Sequence, residues 1–66
     1  PGLTRALAIR GALLLVRAKL EPDRDPQRVA LLTARTALEA AFAGNPLLKR
    51  RYEGSWKEIA RRLQGL

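Results

Sequence analysis

Residues 3–20, LTRALAIRGALLLVRAKL, decide the fold, because their apolar side chains fall into two lines rather than one. Ala6, Ile9, Leu13, Val16 and Leu20 step by three, four, three and four along the chain. Leu3, Leu7, Gly11, Leu14 and Ala18 step by four, four, three and four. Both spacings fit one side of an α-helix, and neither fits the alternation of a strand. Arg10 and Arg17, one heptad apart, lie between the two lines, where a single broad core face would carry no charge. One line is enough to build the core of a small bundle, which leaves the other as a candidate binding surface. The expectation takes Leu3, Leu7 and Leu14 as anchors of that surface and Arg10 and Arg17 as its charged border. Gly11 and Ala18 in the same line add to it. Small residues let another helix come close, and a glycine inside a helix costs about 1 kcal/mol relative to alanine. The competing reading is that the rest of the chain wraps this helix from two sides and buries both lines.

Outward from this segment, the punctuation is that of further helices. Thr4 is a candidate cap for the first helix, after an unstructured Pro1-Gly2. In Glu21-Pro22-Asp23-Arg24-Asp25-Pro26, Pro22 forbids continuation, Asp25 is a good N-cap, and Pro26 suits the first helical position. The second helix then runs to about residue 43, with Gly44 just beyond its end. Asn45-Pro46 repeats the cap-then-proline device and opens a short helix to about residue 52. Glu53-Gly54 reads as a turn, and Ser55-Trp56-Lys57-Glu58 as a capping box opening a last helix to about residue 64. Core candidates are Leu31, Ala34, Leu38, Ala41 and Phe42, then Leu47, Leu48 and Tyr52, then Trp56, Ile59, Ala60 and Leu63. Arg35 with Glu39, and Glu58 with Arg62, are spaced to pair across one turn. The expected fold is all-α. Residues 1–66 form a single domain, a small three-helix bundle whose third arm is broken into two short helices, four helices in all.

Composition limits what such a chain can do. At 66 residues it has room for one small core, which rarely supplies more than about 3–5 kcal/mol. With no Cys and no His, neither disulfides nor a zinc, haem or iron–sulfur centre can supplement it, and no cofactor is expected. Well-packed helices must suffice, and 47% apolar residues, mostly Leu and Ala, meet that need. Thirteen Lys and Arg against six Asp and Glu give a net charge of +7, with arginine outnumbering lysine ten to three. That excess favours anything anionic without choosing among nucleic acid, lipid and protein. No signal peptide is visible, and Arg5, Arg10 and Arg17 argue against a membrane span, since each would cost about 2.5–3.5 kcal/mol near a bilayer centre.

Little in the sequence carries chemistry. Glu21, Asp23 and Asp25 are the one carboxylate cluster, far short of a calcium loop of about 12 residues with six or more oxygen ligands; a turn and a cap account for it. No carboxylate pair has the spacing for acid–base work, the single serine is used for capping, and no glycine-rich phosphate loop occurs. An enzyme is not expected. The last third is more informative, because Lys49, Arg50, Arg51, Lys57, Arg61 and Arg62 face only Glu53 and Glu58. On a helix, turn and helix, Lys57 and Arg61 would share an exposed stripe near base edges while Arg50, Arg51 and Arg62 met phosphates. The segment SWKEIARRL, residues 55–63, resembles the opening helix of many helix-turn-helix domains, although no recognition helix follows it in this sequence. The bland alternative is that a short basic helix needs a solvated face.

The chain as a whole resembles a computationally designed helical mini-protein. Each helix start looks chosen, at Asp25-Pro26, Asn45-Pro46 and Ser55 with Glu58; loops are short, and Met, Cys and His are absent. The surface departs from that style in being rich in arginine and poor in acid, as expected of one selected against an acidic target. A natural domain of high-GC bacterial or phage origin is the rival source. The resemblance implies a binder that displays apolar anchors on rigid helices and pairs arginines with carboxylates at the rim of a protein target. The primary expectation is therefore a protein partner at Leu3, Leu7, Arg10, Leu14 and Arg17. Nucleic acid at the basic last third is the alternative, and pairing of the extra line in a homodimer is a third reading.

Overall fold

A computed structural model describes residues 2–66. Three helices follow one another: α1, Gly2–Leu20; α2, Arg24–Gly44; and α3, Leu47–Gly65. They form a three-helix bundle 35 × 18 × 14 Å along its principal axes. The expected unstructured start is corrected at Gly2, which already belongs to α1, and Thr4 lies within that helix; Pro1 lies outside the described residues.

The core is built chiefly where α1 crosses α2. Ala8, Gly11, Leu15 and Ala18 of α1 are buried, as are Leu31, Ala34, Ala37, Leu38 and Ala41 of α2. So many small residues on both faces bring the two backbones together. A Cβ on Gly11 would stand 2.7 Å from Leu38 Cγ, 2.9 Å from Leu38 Cδ2 and 3.1 Å from the Ala34 carbonyl oxygen. At the other end of the pair a side chain on Gly44 would run into the Thr4 methyl group. Ile59 of α3 is fully buried over this pair, and Leu48, Tyr52, Trp56 and Leu63 pack against the core around it.

The expectation of four helices is wrong: α3 runs unbroken through Gly54 and Ser55. Glycine carries only about 1 kcal/mol of penalty inside a helix, too little to break one that packing holds. Here packing is continuous across it, because Leu48, Tyr52, Trp56, Ile59 and Leu63 keep helical spacing and face the core. The Lys57 ammonium also reaches back over the glycine to Glu53 at 2.9 Å. Ser55 and Glu58 therefore sit inside a helix and form no capping box.

The loops differ from the reading by a residue or two. Asp23, not Asp25, holds the capping position of α2, with extended backbone (φ −94°, ψ 144°). Pro26 falls in the first turn, where its missing N–H still costs nothing. Gly44 closes α2 rather than following it, and Asn45 turns the chain with φ −148° and ψ 95°. The Asn45 N–H donates to the Ala41 carbonyl at 2.8 Å, and its Oδ1 accepts the Leu47 N–H at 3.2 Å. Side chains then tie α3 in place. Trp56 Nε1 donates to Glu39 at 3.4 Å, Arg24 donates to the Leu66 carbonyl at 2.7 Å, and Lys19 pairs with Glu58 at 3.0 Å.

Candidate interaction surface

Because the core side of α1 is Ala8, Gly11, Leu15 and Ala18, a rotation of 100° per residue puts Ala6, Ile9, Leu13, Val16 and Leu20 on the opposite side. That side faces solvent. Ile9 is 44% exposed, Leu13 63%, Val16 51% and Leu20 80%. An amphipathic surface helix would carry polar residues there; α1 carries a five-residue apolar line. The line continues onto the neighbouring helix. Ala6, Ile9 and Leu13 border a shallow depression that shares Leu14 and Arg17 with the groove between α1 and α2, where Val29, Ala30 and Thr33 form the far wall. Val29 is itself exposed.

Cations flank the line on both sides. Arg10 and Arg17 follow Ile9 and Val16, and Arg5 and Lys19 precede Ala6 and Leu20; all four are exposed. No Asp or Glu occurs anywhere in α1. Lys19 is held by Glu58, whereas the ion pairs of the described residues leave Arg5, Arg10 and Arg17 without a carboxylate.

The two apolar lines of α1 are thus exchanged relative to the expectation. Leu7 and Leu14, expected as exposed anchors, are half-buried against the core, and Gly11 and Ala18 between them are buried. Leu3 is exposed at the start of the helix, and Arg10 and Arg17 are exposed as expected. The glycine and alanine do admit a close helix, but it is α2 of the same chain. Leu15 and Ala8, which belong to neither line, were the missing signal: with Gly11 and Ala18 they make a four-residue stripe at steps of three, four and three.

The basic residues of the last third are spread along one continuous helix, so the helix-turn-helix outline is absent with its turn. Lys49, Arg50, Arg51, Lys57, Arg61 and Arg62 are all exposed. Lys57 pairs with Glu53 and Arg62 with Glu58, the latter at 2.8 Å as its spacing predicts. Hydrogen bonding from Lys57 holds the Glu53 carboxyl below its ordinary range, and that from Lys19 and Arg62 does the same to Glu58. Glu39 takes the Trp56 indole rather than the expected Arg35.

Among the described residues no group of three His, Cys, Asp or Glu is placed to hold a metal ion, and Glu21, Asp23 and Asp25 do not converge. No described helix is long and apolar enough to cross a membrane. No protein-family model, curated protein or solved structure matches this chain.

Proposed function

We propose that this protein is a non-catalytic helical module that docks a protein partner on the outer face of α1. One observation carries the reading: Ile9, Leu13, Val16 and Leu20 line the side of α1 directly opposite the core and are exposed together. A lone exposed leucine needs no explanation, but a contiguous apolar patch rimmed by charge marks an interaction surface. Fully burying one such side chain is worth about 1.5–3 kcal/mol, so a few of them supply the centre of an interface. The helix is pre-formed, which lowers the ordering cost of association. The anchors of this reading are Ile9, Leu13 and Val16, with Arg10 and Arg17 as the rim.

A photo-crosslinking residue at position 13, compared with one at position 50 on the outer side of α3, tests the reading in cells that make the chain. A discrete protein adduct at position 13 and none at position 50 supports it, and no protein adduct at position 13 overturns it. A second reading, docking of nucleic acid on α3, is supported by Arg50, Lys57 and Arg61 along one exposed line. It predicts binding of a labelled duplex that weakens steeply between about 50 and 200 mM salt yet discriminates among sequences.

A further inference from the structure

The exposed line of α1 has the spacing of a coiled-coil seam, and its flanks have one sign of charge. In heptad terms Ala6, Leu13 and Leu20 stand at a, Ile9 and Val16 at d, Arg10 and Arg17 at e, and Arg5, Ala12 and Lys19 at g. In such pairs the a and d side chains interdigitate, while e and g set the choice and orientation of partner.

A second copy of this chain is a poor occupant in either orientation. A parallel pair would set Arg5 against Arg10 of the other copy. An antiparallel pair would set Arg10 against Arg17 and Arg5 against Lys19. Each of these is cation against cation, and like charges at those positions repel. An anionic lipid surface is the next occupant to weigh. Helices that lie in that interface put Trp, Phe or Leu on the inserted face. Leu13 and Leu20 meet that description, but Phe42, Tyr52 and Trp56 pack against the core, so the exposed line brings no aromatic ring to the headgroup level. A helix with carboxylates at its own e and g positions turns every one of these contacts from repulsive to attractive. It also gives Arg5, Arg10 and Arg17 the partners they lack within the fold.

We infer that the occupant of the α1 outer face is an amphipathic helix of another protein, with an apolar seam at steps of three and four and flanks rich in Glu or Asp. This rests on the docking reading above and adds the chemistry of the partner. Charge complementarity then selects against the second copy and raises the rate of encounter with the acidic helix.

The test uses two synthetic helical peptides of about three heptads with the same Leu and Ile seam, one flanked by Glu and one by Lys. Anionic phosphatidylglycerol vesicles and sedimentation of the protein alone are run beside them. The Glu-flanked peptide is expected to bind at least about tenfold more tightly than the Lys-flanked one, with affinity that falls as salt rises. Leu13→Glu should abolish that binding, and the double variant Arg10→Glu, Arg17→Glu should narrow the difference between the two peptides, because Arg5 and Lys19 still flank the other edge. Equal affinity for the two peptides, no affinity for either, a preference for the vesicles, or dimers of the protein alone would each overturn the inference. If position 13 still crosslinks to a protein in those cases, the docking face stands and only the acidic helix falls. If it does not, both readings fall together.

Discussion

Gly11 touches Leu38 so closely that a Cβ placed on the glycine would lie 2.7 Å from Leu38 Cγ. That contact lies in the α1–α2 crossing, on the side of α1 that carries Ala8, Leu15 and Ala18, and the Ile9, Leu13 and Val16 line faces out opposite it. Elsewhere in a helix alanine in place of glycine gains about 1 kcal/mol. Here the extra methyl must push Leu38 and the Ala34 carbonyl, and overpacking of that kind costs about 1–3 kcal/mol. Gly11→Ala is therefore expected to destabilise by about 1 kcal/mol in urea unfolding, and Gly11→Val by more. Combining Gly11→Ala with Leu38→Ala should cost less than the two changes add up to, because the cavity accepts the methyl. A stabilising Gly11→Ala would show that the helices do not meet at this point.

Gly54 is the opposite case. Its φ is not positive, and a Cβ added there meets nothing within 4 Å. Gly54→Ala should stabilise the protein by about 1 kcal/mol, raising the melting temperature by roughly 4–8 °C for a domain of this size. A turn at this position, with glycine needed to make it, would instead lower the melting temperature.

These two glycines mark where the sequence is legible and where it is not. The helical class, the breaks at Pro22 and Asn45-Pro46, and the inward faces around Leu31, Leu38 and Ile59 follow from spacing and backbone chemistry. Glycine at Gly54 and serine at Ser55 imitate the punctuation of a helix start. Only the step of four from Tyr52 to Trp56, continuing to Ile59 and Leu63, shows that the apolar face passes through them. The orientation of α1 was harder to read, because that helix is apolar nearly all round and periodicity alone ranks its two lines equally. Packing decides between them. The small residues Ala8, Gly11 and Ala18 pack into one core with the small residues Ala34 and Ala41, and the larger Ile9, Leu13 and Val16 are turned away. The surface residues of the site were legible as to type, but the choice of line depended on a partner helix elsewhere in the chain.

Glu58 joins two helices, accepting Lys19 of α1 at 3.0 Å and Arg62 of its own helix at 2.8 Å. Those hydrogen bonds lower its pKa below the ordinary 4.5, and Lys57 does the same for Glu53. A carboxyl whose folded-state pKa is depressed stabilises the fold above its unfolded value and loses that contribution as pH falls through the folded value. Stability should therefore be flat above about pH 5 and decline in acid below about pH 4.5. Glu58→Gln should lower the plateau and shallow the decline, as followed by thermal unfolding across pH. An unchanged acid limb in that variant would remove Glu58 from the account.

Leu13 and Leu14 are neighbours in sequence and lie on different sides of the same surface, so one substitution at each reads the orientation of α1 directly. Leu13 is exposed on the outer line between Arg10 and Arg17. A glutamate there stands three residues after one arginine and four before the other, spacings at which opposite charges add about 0.2–0.5 kcal/mol per pair. Leu13→Glu is therefore expected to leave stability within about 0.5 kcal/mol of the parent, or slightly above it. Leu14 is half-buried against the core. Leu14→Glu forfeits part of a leucine's burial and forces a carboxylate toward that apolar contact, a change expected to cost about 1–3 kcal/mol. A core this small supplies about 3–5 kcal/mol in all, so the second variant should be visibly less cooperative in thermal unfolding while the first is not. The reverse result, with Leu13→Glu unfolding the chain and Leu14→Glu tolerated, would restore Leu3, Leu7 and Leu14 as the outer line. The docking face would then move to that side of α1.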